Sequence, residues 1–186
     1  MTYVSTFEVL SEYIVPPPLL PPGSTVPFVL KGYFLTLSRL AGDGHAGDLH
    51  VRLRFHPSVA LPPVANLLVD EQTAAGGTKV LALNAQNEVT VQLPPGGTAL
   101  AGIQPNFTNS TATGPLVATF GLRGYVSLAV VAPTPTGVYR LGLTPEIRAI
   151  FCTLQTTLKG PVPDFSEATD IAYALPTPQP LLILEH

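Results

Sequence analysis

The chain has 186 residues, of which 46% are hydrophobic and only 11% are charged, and it contains 21 prolines and 16 glycines. Proline and glycine scattered at this density exclude long helices, while the apolar content and a formal net charge of −3 exclude intrinsic disorder. Lysine and arginine are few and not clustered, which argues against a nucleic-acid partner. The composition therefore predicts one all-β domain, or two small ones.

The N-terminal segment combines an apolar stretch with a run of prolines. Residues 1–15 predict a first strand, and five prolines among residues 16–22 predict a stiff, extended strap. The first ten residues lack the basic and apolar regions of a signal peptide, and no apolar stretch approaches the roughly 18 residues of a membrane helix. We therefore expect a cytoplasmic protein without a membrane span; the alternative is a secreted protein whose signal peptide has been removed.

Further predicted strands follow through the rest of the chain, joined by turns rich in proline and glycine. They cover residues 26–37, 49–55, 80–83, 89–93, 116–120, 125–131, 138–143, 147–158 and 171–175. About ten short strands in this pattern predict an antiparallel β-sandwich, immunoglobulin-like or jelly-roll-like. We divide the chain into an N-terminal strand plus strap (1–22), a sandwich domain (23–183) and a tag remnant (184–186), since a final Leu-Glu-His is typical of a purification tag.

Two local signals predict specific connections. Residues 84–87 have the composition of a turn, so the strands 80–83 and 89–93 that flank them predict a hairpin. Residues 165–171 are the one segment suited to a helical turn, with Ser166 as its N-cap.

The main candidate site is a stripe of titratable side chains on one predicted strand. Successive side chains of a strand point to opposite faces, so His50, Arg52, Arg54 and His56 share one face. One interpretation is a solvated outer face that pairs with acids on a neighbouring strand. The alternative is a binding stripe for a protein or an anionic small molecule, with pH sensitivity from its histidines.

A weaker hypothesis is a metal site in the glycine-rich segment before this strand. His45, Asp48 and His50 supply three ligand types within six residues. Their spacing matches no zinc signature, so we expect no cofactor and keep the metal site as a minor alternative.

No pattern in the chain predicts catalysis. The Gly-x-Ser-x-Gly nucleophile motif is absent, and the single cysteine, Cys152, lies in an apolar run that favours a buried, inert thiol. Sugar-binding sandwiches use aromatic platforms, for which Tyr33, Tyr125, Tyr139 and Tyr173 are candidates, although tryptophan is absent.

The low charge favours self-association, because apolar surface and open sheet edges tend to be covered by partners. Residues 180–183 are apolar and predict an extended arm that adds to a neighbouring sheet. The sequence thus favours a non-enzymatic binding, adaptor or structural module that forms a homo-oligomer. The alternative is a sandwich that binds a carbohydrate or another small ligand.

Overall fold

The computed structural model describes residues 1–22, 24–42, 45–62, 67–73, 77–106, 119–157, 160–177 and 180–185. Over these ranges the chain forms eleven strands and one short 3-10 helix. The strands are β1 (Thr2–Tyr13), β2 (Val26–Arg39), β3 (Leu49–Pro57), β4 (Leu67–Thr73), β5 (Thr78–Val80), β6 (Glu88–Leu93), β7 (Thr98–Pro105), β8 (Phe120–Val130), β9 (Val138–Thr157), β10 (Gly160–Ala174) and β11 (Leu181–Glu185). The 3-10 helix, Pro17–Leu19, lies in the predicted strap.

The strands form one continuous hydrogen-bonded sheet. Eight of them follow one another in the order β5-β4-β7-β2-β1-β8-β3-β6, and β9 pairs with β2 of this series. Strands β10 and β11 both pair with β9. Neighbouring strands are antiparallel. The predicted all-β, antiparallel class with almost no helix is therefore confirmed. Among the described residues no helix is long and apolar enough to cross a lipid bilayer.

The sheet divides and curls at β2. One edge of β2 pairs with β9 from Val26 to Arg39. Its other edge is shared, because residues 28–31 pair with β1 and residues 33–38 pair with β7. Beyond this junction β1 continues along β8. We call β1, β8, β3 and β6 the first arm, and β2, β7, β4, β5, β9, β10 and β11 the second arm.

The main apolar core is built from both arms. Leu53 of β3 and Val126 of β8 belong to the same buried cluster as Leu35 of β2 and Ile103 of β7. A smaller cluster lies at the other end of β2 and β9 and contains Phe28, Leu30, Cys152 and Leu154. Cys152 is buried, and burial and the charge of Asp164 raise the pKa of its thiol. Such a thiol is a poor nucleophile, as the apolar run predicted.

The hairpin predicted from residues 80–83 and 89–93 is wrong, although its turn is present. Strand β5 pairs with β4, and β6 pairs with β3. In the turn, Asn84 Oδ1 accepts hydrogen bonds from the backbone N–H groups of Gln86 and Glu88, and Asn87 has a φ of 60°. Residues that favour a turn can be recognised in the local sequence, whereas the pairing partner of each strand depends on packing against distant segments.

The helical turn predicted at residues 165–171 is also wrong, because this segment belongs to β10. The pairing of β10 with β9 shifts register between Asp164 and Thr169. Within the irregularity the Ser166 backbone N–H donates to Asp164 Oδ1 at 3.0 Å. The Asp164 carboxylate therefore accepts a hydrogen bond from a backbone N–H group two residues later. This contact resembles one at a helix N-cap but lies within a strand.

Several predicted strands are pieces of longer ones. Residues 138–143 and 147–157 are both part of β9, and 171–174 are the end of β10. The predicted strand 116–120 lies mostly outside the described residues, as does residue 158. The C-terminal segment forms β11 and pairs with β9 of its own chain, so the arm is docked here rather than extended toward a neighbour.

Candidate functional site

The titratable stripe lies along the outer face of β3, in the middle of the first arm. Strand β3 pairs with β6 on one side and with β8 on the other. Its odd-numbered residues, Leu49 to Phe55, are buried in the core, while His50, Arg52, Arg54 and His56 are partly exposed. The strand period thus brings the four side chains to one face, and their surroundings differ from one end to the other.

Arg52 has an acidic neighbour of the kind that the solvated-face interpretation expects. Its Nη1 lies 3.8 Å from Glu88 Oε2 on β6. The same oxygen accepts a hydrogen bond from Asn84 Nδ2 at 3.1 Å. Glu88 is therefore already held by two partners, and Arg52 is the arginine that its charge offsets most directly.

Arg54 lacks a comparable partner. It lies opposite Glu88 on β6 and Ser127 on β8, yet it forms no ion pair with any described residue. Its Nε atom, like that of Arg52, is buried without a hydrogen-bond partner in the described part of the chain; the missing ion pair is what distinguishes Arg54. The Arg54 guanidinium thus carries a positive charge that no direct contact with a described residue neutralises.

His56 lies flat against Tyr125 at the end of the stripe. The two rings are stacked, with centroids 4.2 Å apart and an interplanar angle of 7°. His56 Nε2 is 2.8 Å from Ser127 Oγ. Partial burial and the charge of Arg54 lower the pKa of the imidazole, against the opposing effect of Glu88. The neutral ring is therefore favoured beside Arg54.

A cavity of about 700 Å³ opens beside this end of the stripe. Residues from β3, β8, the segment after β3 and the turn before β6 line it: Arg54, Phe55, His56, Pro57, Ser58, Val59, Ala60, Gln86, Asn87, Gly124 and Tyr125. At this cavity β8 approaches β3 closely, since a Cβ at Gly124 would clash with the backbone oxygen of His56. The amides of Gln86 and Asn87 are not among the predicted site residues, because they reach the cavity only through the β3–β6 pairing.

The residues of the metal hypothesis point to separate partners. The His45 ring packs against Tyr139 with centroids 4.8 Å apart, and the Asp48 carboxylate accepts a hydrogen bond from Gln92. His50 donates its backbone N–H to Thr134 Oγ1 at 2.8 Å. Within the described ranges, which omit residues 43 and 44, no group of three His, Cys, Asp or Glu side chains is placed to hold a metal ion.

A buried arginine organises the segment that carries His45. Arg39 is 2% exposed, and its guanidinium donates to the carbonyl oxygens of His45 and Gly47 at 2.7 and 2.6 Å. It also lies 5.4 Å from the centre of the Tyr139 ring. Arg39 thus has a structural role, which its place just after a predicted strand did not reveal.

The four candidate tyrosines divide into two buried and two exposed ones. Tyr33 and Tyr139 are almost fully buried; Tyr33 Oη is 2.9 Å from Ser5 Oγ, and burial raises the pKa of its phenol. Tyr125 and Tyr173 are each 44% exposed, but they line different cavities. The tyrosines therefore do not form one aromatic platform.

The other notable surface is the outer edge of the second arm. Strands β10 and β11 lie beside the same strand, β9, with β11 along its first residues and β10 along the rest. Both expose apolar side chains, among them Ile171 and Tyr173 on β10 and Leu181 and Ile183 on β11. No described strand pairs with the far side of β10. We call this surface the β10–β11 edge.

Comparison with known proteins identifies no family for this chain. No protein-family profile matches it, and no curated protein matches it. Among solved structures, it is similar to one described as "AvmM Catalyzes Macrocyclization in Alchivemycin A Biosynthesis", at 12% sequence identity over 94% of this chain and 89% of that chain, with a TM-score of 0.20. A likeness at this TM-score says nothing about the activity of this chain.

Proposed function

We propose that this protein is a non-enzymatic β-sandwich module that associates with copies of itself through the β10–β11 edge. In this proposal the two arms are the two layers of the sandwich, which is supported by the main buried cluster, since it draws side chains from both arms. The observation that carries the association is the far side of β10, which no described strand covers, on a strand that also exposes the apolar side chains of Ile171 and Tyr173.

The regular part of β10 is well suited to pair with the same segment of a second copy of the chain. Residues 169–174 keep an unbroken antiparallel register with β9, so their free backbone groups on the other side are aligned for another strand. A second copy that pairs about Ile171 would place Ile171 against its own equivalent and Asp170 against Ala172. The acids Asp170 and Glu167 would then avoid their equivalents, and like charges would not oppose each other.

The first half of β10 is less suited to this role. Pro161 and Pro163 lie there at alternate positions. Since proline has no backbone N–H, and is tolerated in sheets where that group would point away from the neighbouring strand, this half offers fewer donors to a partner. The proposed contact is therefore confined to residues 169–174, with β11 extending the apolar surface beside it.

Solution mass tests the self-association. We expect light scattering to give an oligomer for the unaltered chain and a monomer for Ile171→Lys, because the substitution would bring two ammonium groups together at the contact. Val80→Lys is the matched control, since Val80 is 68% exposed on β5, at the opposite edge of the sheet. This variant is expected to keep the oligomer. A monomeric parent, or an Ile171→Lys variant with unchanged mass, would contradict the proposal.

A second candidate function is binding of a small ligand, a carbohydrate included. The cavity beside Arg54 supports it, because its volume of about 700 Å³ lies within the roughly 300–1,000 Å³ of small-molecule sites. None of its lining residues belongs to β10 or β11. The two functions are therefore compatible and can be tested separately.

A further inference from the structure

Positive charge exceeds negative charge among the side chains around the end of β3. Arg52 and Arg54 contribute two cations, and Glu88, the acid opposite Arg54 on β6, is held by Arg52 and Asn84. Arg54 also lines the cavity, whereas Arg52 does not. The unneutralised guanidinium is thus the one at the cavity, where it is available to a ligand.

The other walls of the cavity are mixed in character. Pro57, Val59 and Ala60 provide apolar surface, and Tyr125 is 44% exposed although His56 stacks on its ring. The side chains of Gln86 and Asn87 add amide groups. Sites of this kind combine an apolar or aromatic surface with a few polar groups that fix orientation.

We infer that this cavity binds a small organic anion, with its carboxylate or phosphate group at the Arg54 guanidinium and a planar or apolar body against Tyr125. Guanidinium groups bind such anions through paired, charge-assisted hydrogen bonds. The inference is independent of self-association, because the cavity and the β10–β11 edge share no residue.

His56 gives the site an internal reporter. The groups around its ring are Arg54 on the same strand, Glu88 on β6, and Tyr125 and Ser127 on β8. An anion bound at Arg54 would lie near the imidazole, offset the arginine's charge and favour the protonated ring. Occupancy is therefore expected to raise the pKa of His56.

NMR titration with phenyl phosphate and with benzoate tests the inference, with benzyl alcohol and methyl glucoside as neutral probes. We expect both anions to bind the unaltered chain and to shift signals of Arg54, His56, Asn87 and Tyr125, while the neutral probes bind at least tenfold more weakly. Phenyl phosphate is also expected to raise the pKa of His56, followed by its ring signals. Equal binding of the neutral probes, or shifts confined to another region, would overturn the inference.

Three variants test whether Arg54 contacts the bound anion. Arg54→Gln is expected to weaken phenyl phosphate binding about tenfold or more, as expected for the loss of a charge-assisted pair. Arg52→Gln, on the same strand but outside the cavity, is expected to change it less than about threefold. Equal losses in the two variants would contradict a specific role for Arg54. Arg54→Lys keeps the charge without the planar fork and is expected to bind with intermediate affinity, which also decides the matter if Arg54→Gln does not fold.

Discussion

Strands β3 and β10 show how strongly the neighbouring strands determine whether the side chains of a strand are buried or exposed. β3 lies between β6 and β8, and its alternate side chains enter the main core. β10 has one described neighbour, β9, and exposes Ile171 and Tyr173 although both are large and apolar. The same extended backbone thus produces a stabilising core strand in one place and an open surface in the other. Composition alone does not distinguish them, because both strands mix apolar and charged residues.

The largest expected effect is the difference in the free energy of unfolding between a substitution in buried β3 and one in exposed β10. Leu53 on β3 is 1% exposed and Ile171 on β10 is 48% exposed. We expect Leu53→Ala to lower the free energy of unfolding by about 2–5 kcal/mol, through lost burial and a cavity in the core. Ile171→Ala is expected to cost less than about 1 kcal/mol. Urea unfolding at a protein concentration low enough to keep both chains monomeric measures the difference, and similar losses would mean that β10 is as well packed as β3.

A smaller effect is expected from a buried hydrogen bond at the junction of the arms. Removing the Tyr33 hydroxyl in Tyr33→Phe leaves Ser5, which is fully buried, without its side-chain partner. A loss of about 1–3 kcal/mol is expected, because a buried unsatisfied hydroxyl keeps its desolvation cost. Tyr173→Phe on β10 is the matched control and should unfold at nearly the parent urea concentration. If the two variants behave alike, the Ser5–Tyr33 contact does not stabilise the junction.

The smallest expected effect is a pH dependence of the free energy of unfolding that arises from His56 in the first arm. Burial and Arg54 lower the pKa of His56 below its ordinary value of 6.5. Below that value the unfolded chain takes up a proton more readily than the folded one, so the free energy of unfolding should fall as pH decreases through and below 6.5. His56→Gln should make this decrease shallower, as should Arg54→Gln, which removes one cause of the shift. Unfolding midpoints between pH 7.5 and 5 test this, and identical slopes in all three chains would exclude His56 as the source.

The sequence predicted the first arm better than the second. The alternation in residues 49–55 is unambiguous because one face of β3 is fully buried, and the outer stripe follows from the same period. The cavity beside the stripe was not predictable, since it also needs the turn at Asn87 and the close approach of β8 at Gly124. These come together only through pairing between distant segments.

In the second arm, predictions from local sequence were wrong for a related reason. Residues 165–171 carry Ser166 and acidic side chains, which favour a helix start, yet the segment is part of β10, where residues up to Asp164 and from Thr169 onward pair with β9. Residues 80–83 were predicted to pair with residues 89–93, but the strand found there, β5, ends at Val80 and pairs with β4. Local chemistry identifies turns and caps, but long-range hydrogen bonding decides which strand lies beside which.

The position of β1 has a consequence for how the chain is made. This strand comes first in the sequence, yet it lies between β8 and β2 in the sheet, and its Glu8 pairs with Arg123, 115 positions later. At a synthesis rate of about 5–20 residues per second, β1 waits on the order of ten seconds for β8 to be made. During that time the first arm lacks an inner strand, and the edge of β1 that β8 will cover is open to chaperones and to other nascent chains.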